Sequence, residues 1–330
     1  MPGYLKKRAL IVTIFVLQTA CMEAQDVYFS QFYFNLIGLN PAYSGESGER
    51  AAVLTYRNQW PGSNARYVTY SAGYDQPSQF LHGGIGFLLS RDEQGGGIFN
   101  RHTFDAIYAY HLDVNGDISL NAGFQAGIVQ KSLNAGNLIL PDMIDPNTGN
   151  LIAGGEQIAS EQIIFPDFTF GLVTGYKNFY GGIVLSHLTK PQESFSGEGI
   201  RLYRKITIHA GGNINLGGSY SAGDALFLSP NIIFQQQGPF KQLNYGFYLS
   251  KNVVFGGFWV RQNLSPRLDA LIFSTGVNIG NARLGYSYDL NIPGNGIKIK
   301  TYGAHEVTFR LQFQYNVKRK KYKAIKCPKI

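Results

Sequence analysis

Cysteine, charge and long apolar runs are all scarce in this chain, and each scarcity excludes a class of protein. Two cysteines in 330 residues, Cys21 and Cys327, cannot supply a disulfide framework. The six histidines (His82, His102, His111, His187, His209, His305) show no HExxH or comparable ligand spacing, so no zinc site is expected. After the first two dozen residues no apolar run reaches the roughly 20 residues of a membrane helix. Mean hydropathy is −0.10, too low for a polytopic helical protein. GxSxG, Walker and dinucleotide-binding glycine motifs are missing as well. His305-Glu306 near Ser287 is the one nucleophile–base grouping in the sequence. No enzyme, cofactor or metal is therefore expected. Asp142, Asp145, Asn147 and Asn150 offer oxygens to a cation but lack the EF-hand pattern, and they read as a solvated turn-rich loop.

What the chain does have is 40 Gly, 21 Tyr and 23 Phe, with only 15% charged residues. Glycine weakens helix interiors and aromatics favour strands, so the composition is that of a β protein. Lys6, Lys7 and Arg8 precede a short apolar stretch, Ala9 to Leu17, the pattern of a secretory signal over 1–24. Cleavage after Ala24 is favoured over lipidation at Cys21, because Gln18 stands where an aliphatic residue is wanted.

The formal net charge of +8 is concentrated at the ends. Residues 318–329 hold seven Lys/Arg and no acid, and the signal holds three Lys/Arg and Glu23. Of 29 basic and 21 acidic residues, 19 and 20 remain over 25–317. A body without basic excess is not a nucleic-acid binder.

Period-two patterning recurs along the chain. Val307, Phe309, Leu311, Phe313, Tyr315 and Val317 alternate with Thr308, Arg310, Gln312, Gln314 and Asn316. In a strand these sets face opposite sides, one apolar and one polar, over the 9–11 residues a membrane strand needs. About fourteen such strands are expected, at 50–57, 66–75, 83–91, 102–112, 117–131, 166–177, 180–187, 205–217, 225–234, 243–251, 253–261, 269–280, 283–291 and 304–317. Short turns alternate with long loops at 91–101, 132–165, 189–204 and 291–303, as in outer-membrane barrels. A soluble β-sandwich is the competing fold. Gly123, Gly127, Gly171, Gly175, Gly211, Gly276, Gly280 and Gly285 fall on the inward set, where small residues relieve crowding. Arg66, Arg283 and Arg310 are expected inward with Asp105, Asp167 and Asp289, paired in a network. Residues 25–49, carrying Phe29, Phe32 and Phe34, are a periplasmic or lumen-plug segment.

Several short motifs stand outside this pattern. They are Ser30-Gln31-Phe32, Asn40-Pro41-Ala42-Tyr43-Ser44-Gly45, Arg57-Asn58-Gln59-Trp60-Pro61-Gly62, Ser186-His187-Leu188-Thr189-Lys190-Pro191, Gly285-Tyr286-Ser287-Tyr288-Asp289, Gly303-Ala304-His305-Glu306 and Cys327-Pro328-Lys329. In this order and spacing the chain resembles the PorP/SprF family of type IX secretion outer-membrane proteins. The resemblance runs from about Gln25 to the C-terminus and implies a single transmembrane antiparallel β-barrel, 50–317, with a basic periplasmic tail, 318–330. It implies a role in exporting or anchoring secreted surface proteins such as gliding adhesins. The implied partners are a large secreted surface protein, outer-membrane lipid, and periplasmic secretion-machinery or peptidoglycan-linked proteins. A porin or hydrophobic-solute channel is the alternative. Candidate partner contacts are Gln59 and Trp60 at the rim, Asp142 and Asp145 in the long loop, and Lys318, Arg319, Lys320 and Lys321 in the tail. Trp60 is equally well read as a girdle aromatic.

Overall fold

The computed structural model describes residues 26, 28–63, 66–115, 117–137, 143–145, 148, 150, 159–195, 199, 201–217, 225–264, 267–292, 303–313 and 325. The expected signal, Asp142 and the basic cluster Lys318–Lys321 lie outside them. The strands are β1 (Arg50–Gln59), β2 (Tyr67–Ser78), β3 (Gly83–Gln94), β4 (Phe99–Asn115), β5 (Ile118–Leu133), β6 (Glu161–Tyr176), β7 (Phe179–Ser186), β8 (Lys205–Gly212), β9 (Ile214–Asn215), β10 (Leu226–Gln237), β11 (Phe240–Lys251), β12 (Val254–Asn263), β13 (Arg267–Ile279), β14 (Ala282–Asn291) and β15 (Ala304–Phe313). The two-residue β9 continues β8 past Asn213, and both pair with β10, so fifteen segments make fourteen strands. Each strand pairs with its sequence neighbours, and β15 pairs with β1 from Arg50↔Phe313 to Gln59↔Ala304, closing the barrel. Closure leaves no sheet edge, which is how a β protein satisfies its backbone inside lipid.

Alternation decides which face points where. On β15, Glu306 and Thr308 are fully buried while Val307, Phe309 and Phe313 are exposed. On β5, Leu120, Phe124 and Ile128 are exposed and Asn121 is buried. The apolar set faces outward, the inverse of a soluble sandwich and the arrangement lipid requires. Among the described residues no helix is long and apolar enough to cross a membrane.

By strand order, the connections at 60–66, 134–160, 187–204 and 292–303 share one end, hereafter the long-connection end, with the tight turns 95–98, 238–239 and 264–266. Those at 79–82, 116–117, 177–178, 252–253 and 280–281 share the other, hereafter the short-turn end, with the connection from β9 to β10. The expected loop at 91–101 is instead a tight turn, because β3 runs to Gln94 and β4 starts at Phe99. Gly95, Gly96 and Gly97 take φ of 61°, 69° and 93°, left-handed backbone that lets the strands turn within four residues.

The segment ahead of β1 lies inside the barrel. Asn35 caps the short helix α1 (Leu36–Leu39), its side chain accepting from the Gly38 N–H at 3.1 Å. Asn40 then caps the 3₁₀ turn Pro41–Tyr43 by accepting from the Ala42 N–H at 3.0 Å, with Pro41 at the first position. Phe32, Tyr33, Phe34, Ala42 and Tyr43 form one buried cluster with Val173, Tyr180, Ile233, Tyr248, Phe255, Trp259 and Ile272 of the wall. Wall glycines leave the room. A Cβ on Gly123 would collide with the Ala42 nitrogen, and one on Gly171 would collide with Asn40 Oδ1. Gly280 makes no such room, because it sits in a turn with φ of 57° and open space around it.

A β-branched residue at Gly171 should therefore dislodge the 3₁₀ turn without opening the barrel. Gly171→Val is expected to cost at least the ~1–3 kcal/mol of overpacking. It should make residues 36–46 cleavable by protease in detergent, while the unheated band still migrates as a closed barrel.

Candidate functional site

The internal segment is held at three levels. Just inside the long-connection end, two carboxylates and two guanidinium groups surround Ser30 and Gln31. Glu306 of β15 accepts from the backbone N–H of Ser30 at 2.7 Å and of Gln31 at 2.9 Å. The Ser30 hydroxyl donates to Asp289 of β14 at 2.7 Å. Arg57 of β1 bridges both acids, at 2.9 Å to Asp289 and 3.0 Å to Glu306, and also donates to Ser30 Oγ at 2.8 Å. Arg261 of β12 reaches Asp289 at 2.8 Å and Ser30 Oγ at 2.9 Å. All six residues are buried. The charges balance, two against two, and the fork geometry of arginine lets each cation engage more than one partner.

Nearer the long-connection end, Asp26 anchors the start of the segment. His187, immediately after β7, stands between two carboxylates, with Nε2 2.7 Å from Asp26 and Nδ1 2.7 Å from Asp167. Arg101 lies 3.1 Å and Lys205 3.5 Å from Asp26. Burial would raise the Asp26 carboxyl, but His187, Lys205 and Arg101 outweigh it and hold the group well below the usual carboxylate range. Burial would lower the His187 imidazole, yet Asp26 and Asp167 overcome it and bring it to about 9. Lys205 also lies 4.8 Å over the Tyr28 ring.

The third level is at the short-turn end. Gly45 N–H donates to Asp75 at 2.9 Å, and the His111 ring nitrogen lies 3.0 Å from the Ser44 carbonyl. Glu46 accepts from Asn121 and from the backbone N–H of Ile325, a buried tail residue that packs into the same core cluster. Burial pushes Glu46 up to about 7, against those two hydrogen bonds. Residues 26 to 46 thus run from one end of the barrel to the other, rather than sitting at a single mouth.

The sequence-predicted contacts divide differently. Gln59 and Trp60 lie at the long-connection rim, where the Trp60 N–H donates to Gly303 at 2.9 Å and its ring meets Tyr67 edge-on. Asp145 accepts from Thr148 at 2.7 Å and is not brought near either. Arg66 is exposed ahead of β2, not inward. Arg310 does point inward and donates to the Phe34 carbonyl at 3.1 Å, and Arg283 lies over the Phe34 ring. His305 and Glu306 part company. His305 contacts Tyr286 and Tyr288 on the outer wall, whereas Glu306 and Ser287 are buried inside. Adjacent strand residues cannot share a face, so the triad-like grouping does not form. Of the residues missed as a group, Arg57, Arg261 and Glu306 had one local sign, a charged side chain at an inward strand position, and Ser30, ahead of β1, had none.

Residues 21–311 match the family described as type IX secretion system membrane protein PorP/SprF. No curated protein matches the chain. Among solved structures, a FadL homologue of Pseudomonas aeruginosa is similar at 12% identity and TM-score 0.41, covering 83% of this chain and 91% of that one. The translocator domain of the autotransporter NalP from Neisseria meningitidis is similar at 13% identity and TM-score 0.36, covering 81% and 88%.

Removing one member of the buried quartet should cost more than removing a surface charge. Arg57→Ala leaves Glu306 and Asp289 short of a cation, with an expected loss of roughly 3–5 kcal/mol, read as a lower temperature for conversion of the compact band to the unfolded one. The Asp26–His187 anchor should depend on pH. His187 is raised in the folded protein, so its contribution is complete below its ordinary value of 6.5 and gone once pH passes about 9. Asp26 is depressed, so its contribution persists above 3.8 and fades only in acid. Amide-exchange protection of residues 28–31 should fall between pH 7 and 10, and His187→Gln should remove that step.

Proposed function

The chain belongs to the PorP/SprF family of type IX secretion system membrane proteins, and from that premise we propose that it anchors or helps export specific secreted surface proteins. Family membership together with the closed barrel assigns it to the outer membrane and to type IX secretion. The observation that carries the anchoring role over a solute channel is the packed segment inside the barrel. Tyr33, Phe34 and Tyr43, each no more than 2% exposed, occupy the path a diffusing solute would take. A barrel whose interior is committed to its own chain offers its outer rim and mouths for interaction. With the long connections outside, the loop at 134–160, Gln59 and Trp60 would meet the secreted protein. The basic tail from Lys318 would meet an acidic periplasmic component by salt-sensitive attraction.

Removing 140–160 from the full chain should leave a heat-modifiable barrel in the outer membrane but release the surface protein into the medium. Retention equal to the unaltered chain would count against the rim as the docking site. A large, steady ion conductance from the unaltered protein in a planar bilayer would favour the channel instead.

A further inference from the structure

A groove of about 770 Å³ is cut into the outer wall from β15 across β1 to β5. Its floor is one register row of outward side chains: Leu54↔Ala72, Ala72↔Leu89, Leu89↔Phe104 and Phe104↔Ile128. Ala72 is the short member between larger neighbours, and that difference makes the hollow. The next row, toward the long-connection end, changes character. It reads Tyr56↔Tyr70, Tyr70↔Arg91, Arg91↔His102 and His102↔Gln130. Residues directly opposite in an antiparallel sheet share a face, so Arg91 and His102 stand side by side above the apolar floor. Tyrosines at this level mark the membrane–water boundary.

We propose that this groove binds a phosphate-bearing membrane lipid, its acyl chain over Ala72 and its phosphate on Arg91 and His102. Arginine's planar fork matches a phosphate, and an imidazole N–H adds a second donor beside it. The Arg91 guanidinium already touches Glu93 at 2.6 Å, with side-chain exposures of 54% and 25%. An exposed pair of this kind is weak and uses only part of the five-donor fork. Charge and depth together select the occupant: a transmembrane apolar partner would not need the basic row, and a free anion would not need the floor.

The full chain in detergent, followed by native mass spectrometry, tests this with three probes: dioleoylphosphatidic acid, dioleoylglycerol and inorganic phosphate. Phosphatidic acid should bind about tenfold more tightly than dioleoylglycerol, as expected for charge-assisted hydrogen bonds, and inorganic phosphate should not be retained. Arg91→Gln with His102→Gln should remove that advantage. Ala72→Trp should weaken phosphatidic acid binding with the basic pair intact, because it fills the hollow. Lys177→Gln, at the opposite rim, should change nothing. All these side chains face lipid or solvent, so an unheated gel band serves to compare closed barrels only. Equal binding of phosphatidic acid and dioleoylglycerol, or unchanged phosphatidic acid binding in both groove variants, would overturn the proposal.

Discussion

Charge taken out of water must be matched at close range, and this barrel meets that demand around a single serine. Arg57, Arg261, Asp289 and Glu306 come from four strands, and Ser30 touches all four. None of the four side chains would be tolerable alone at that depth, since an uncompensated buried ion costs several kcal/mol. Their mutual satisfaction therefore requires the internal segment as well as the strands. At this level wall and filling are one electrostatic unit, because Ser30 is the group that all four charged side chains share.

Packing repeats the lesson on the adjoining wall, β11 and β12. Trp259, Tyr248 and Phe255 present rings inward from β11 and β12, and Phe32, Tyr33 and Phe34 lie against them at centroid distances of 5.3–6.0 Å where they meet Trp259 or Phe255. Those inward aromatics would face water in an empty barrel. The charged quartet and the aromatic patch thus both take their partners from the segment ahead of β1, by two unrelated interactions.

Much of the wall was legible in the sequence, because a closed barrel makes period two obligatory: every strand has one lipid face and one interior face. Most strand ends fall within three residues of the expected ones, and where the pattern misled, at 91–101, three consecutive glycines carried the turn that a longer loop was expected to make. Arg66 was misplaced because it precedes β2, where parity no longer binds. The site was legible only in pieces. Its motifs stood out individually, but Ser30 and Glu306 are 276 residues apart, and no local pattern tells that they touch. His305 and Glu306 show the limit most sharply. Adjacent in sequence, they are on opposite sides of the wall.

The closing seam has a consequence for how the molecule is made. β1 pairs with β15, the first strand with the last, across most of the chain. The segment preceding β1 crosses the interior from Asp26 to Glu46 and then feeds directly into β1. Once the seam is zipped, a segment so placed has no lateral way in. Filling while β1 and β15 are still apart lets those residues settle sideways onto the nascent sheet and spares the chain a later threading through the mouth. Long-range pairing of this kind is intrinsically slow, and the delay gives the leading segment time to settle against the half-built wall.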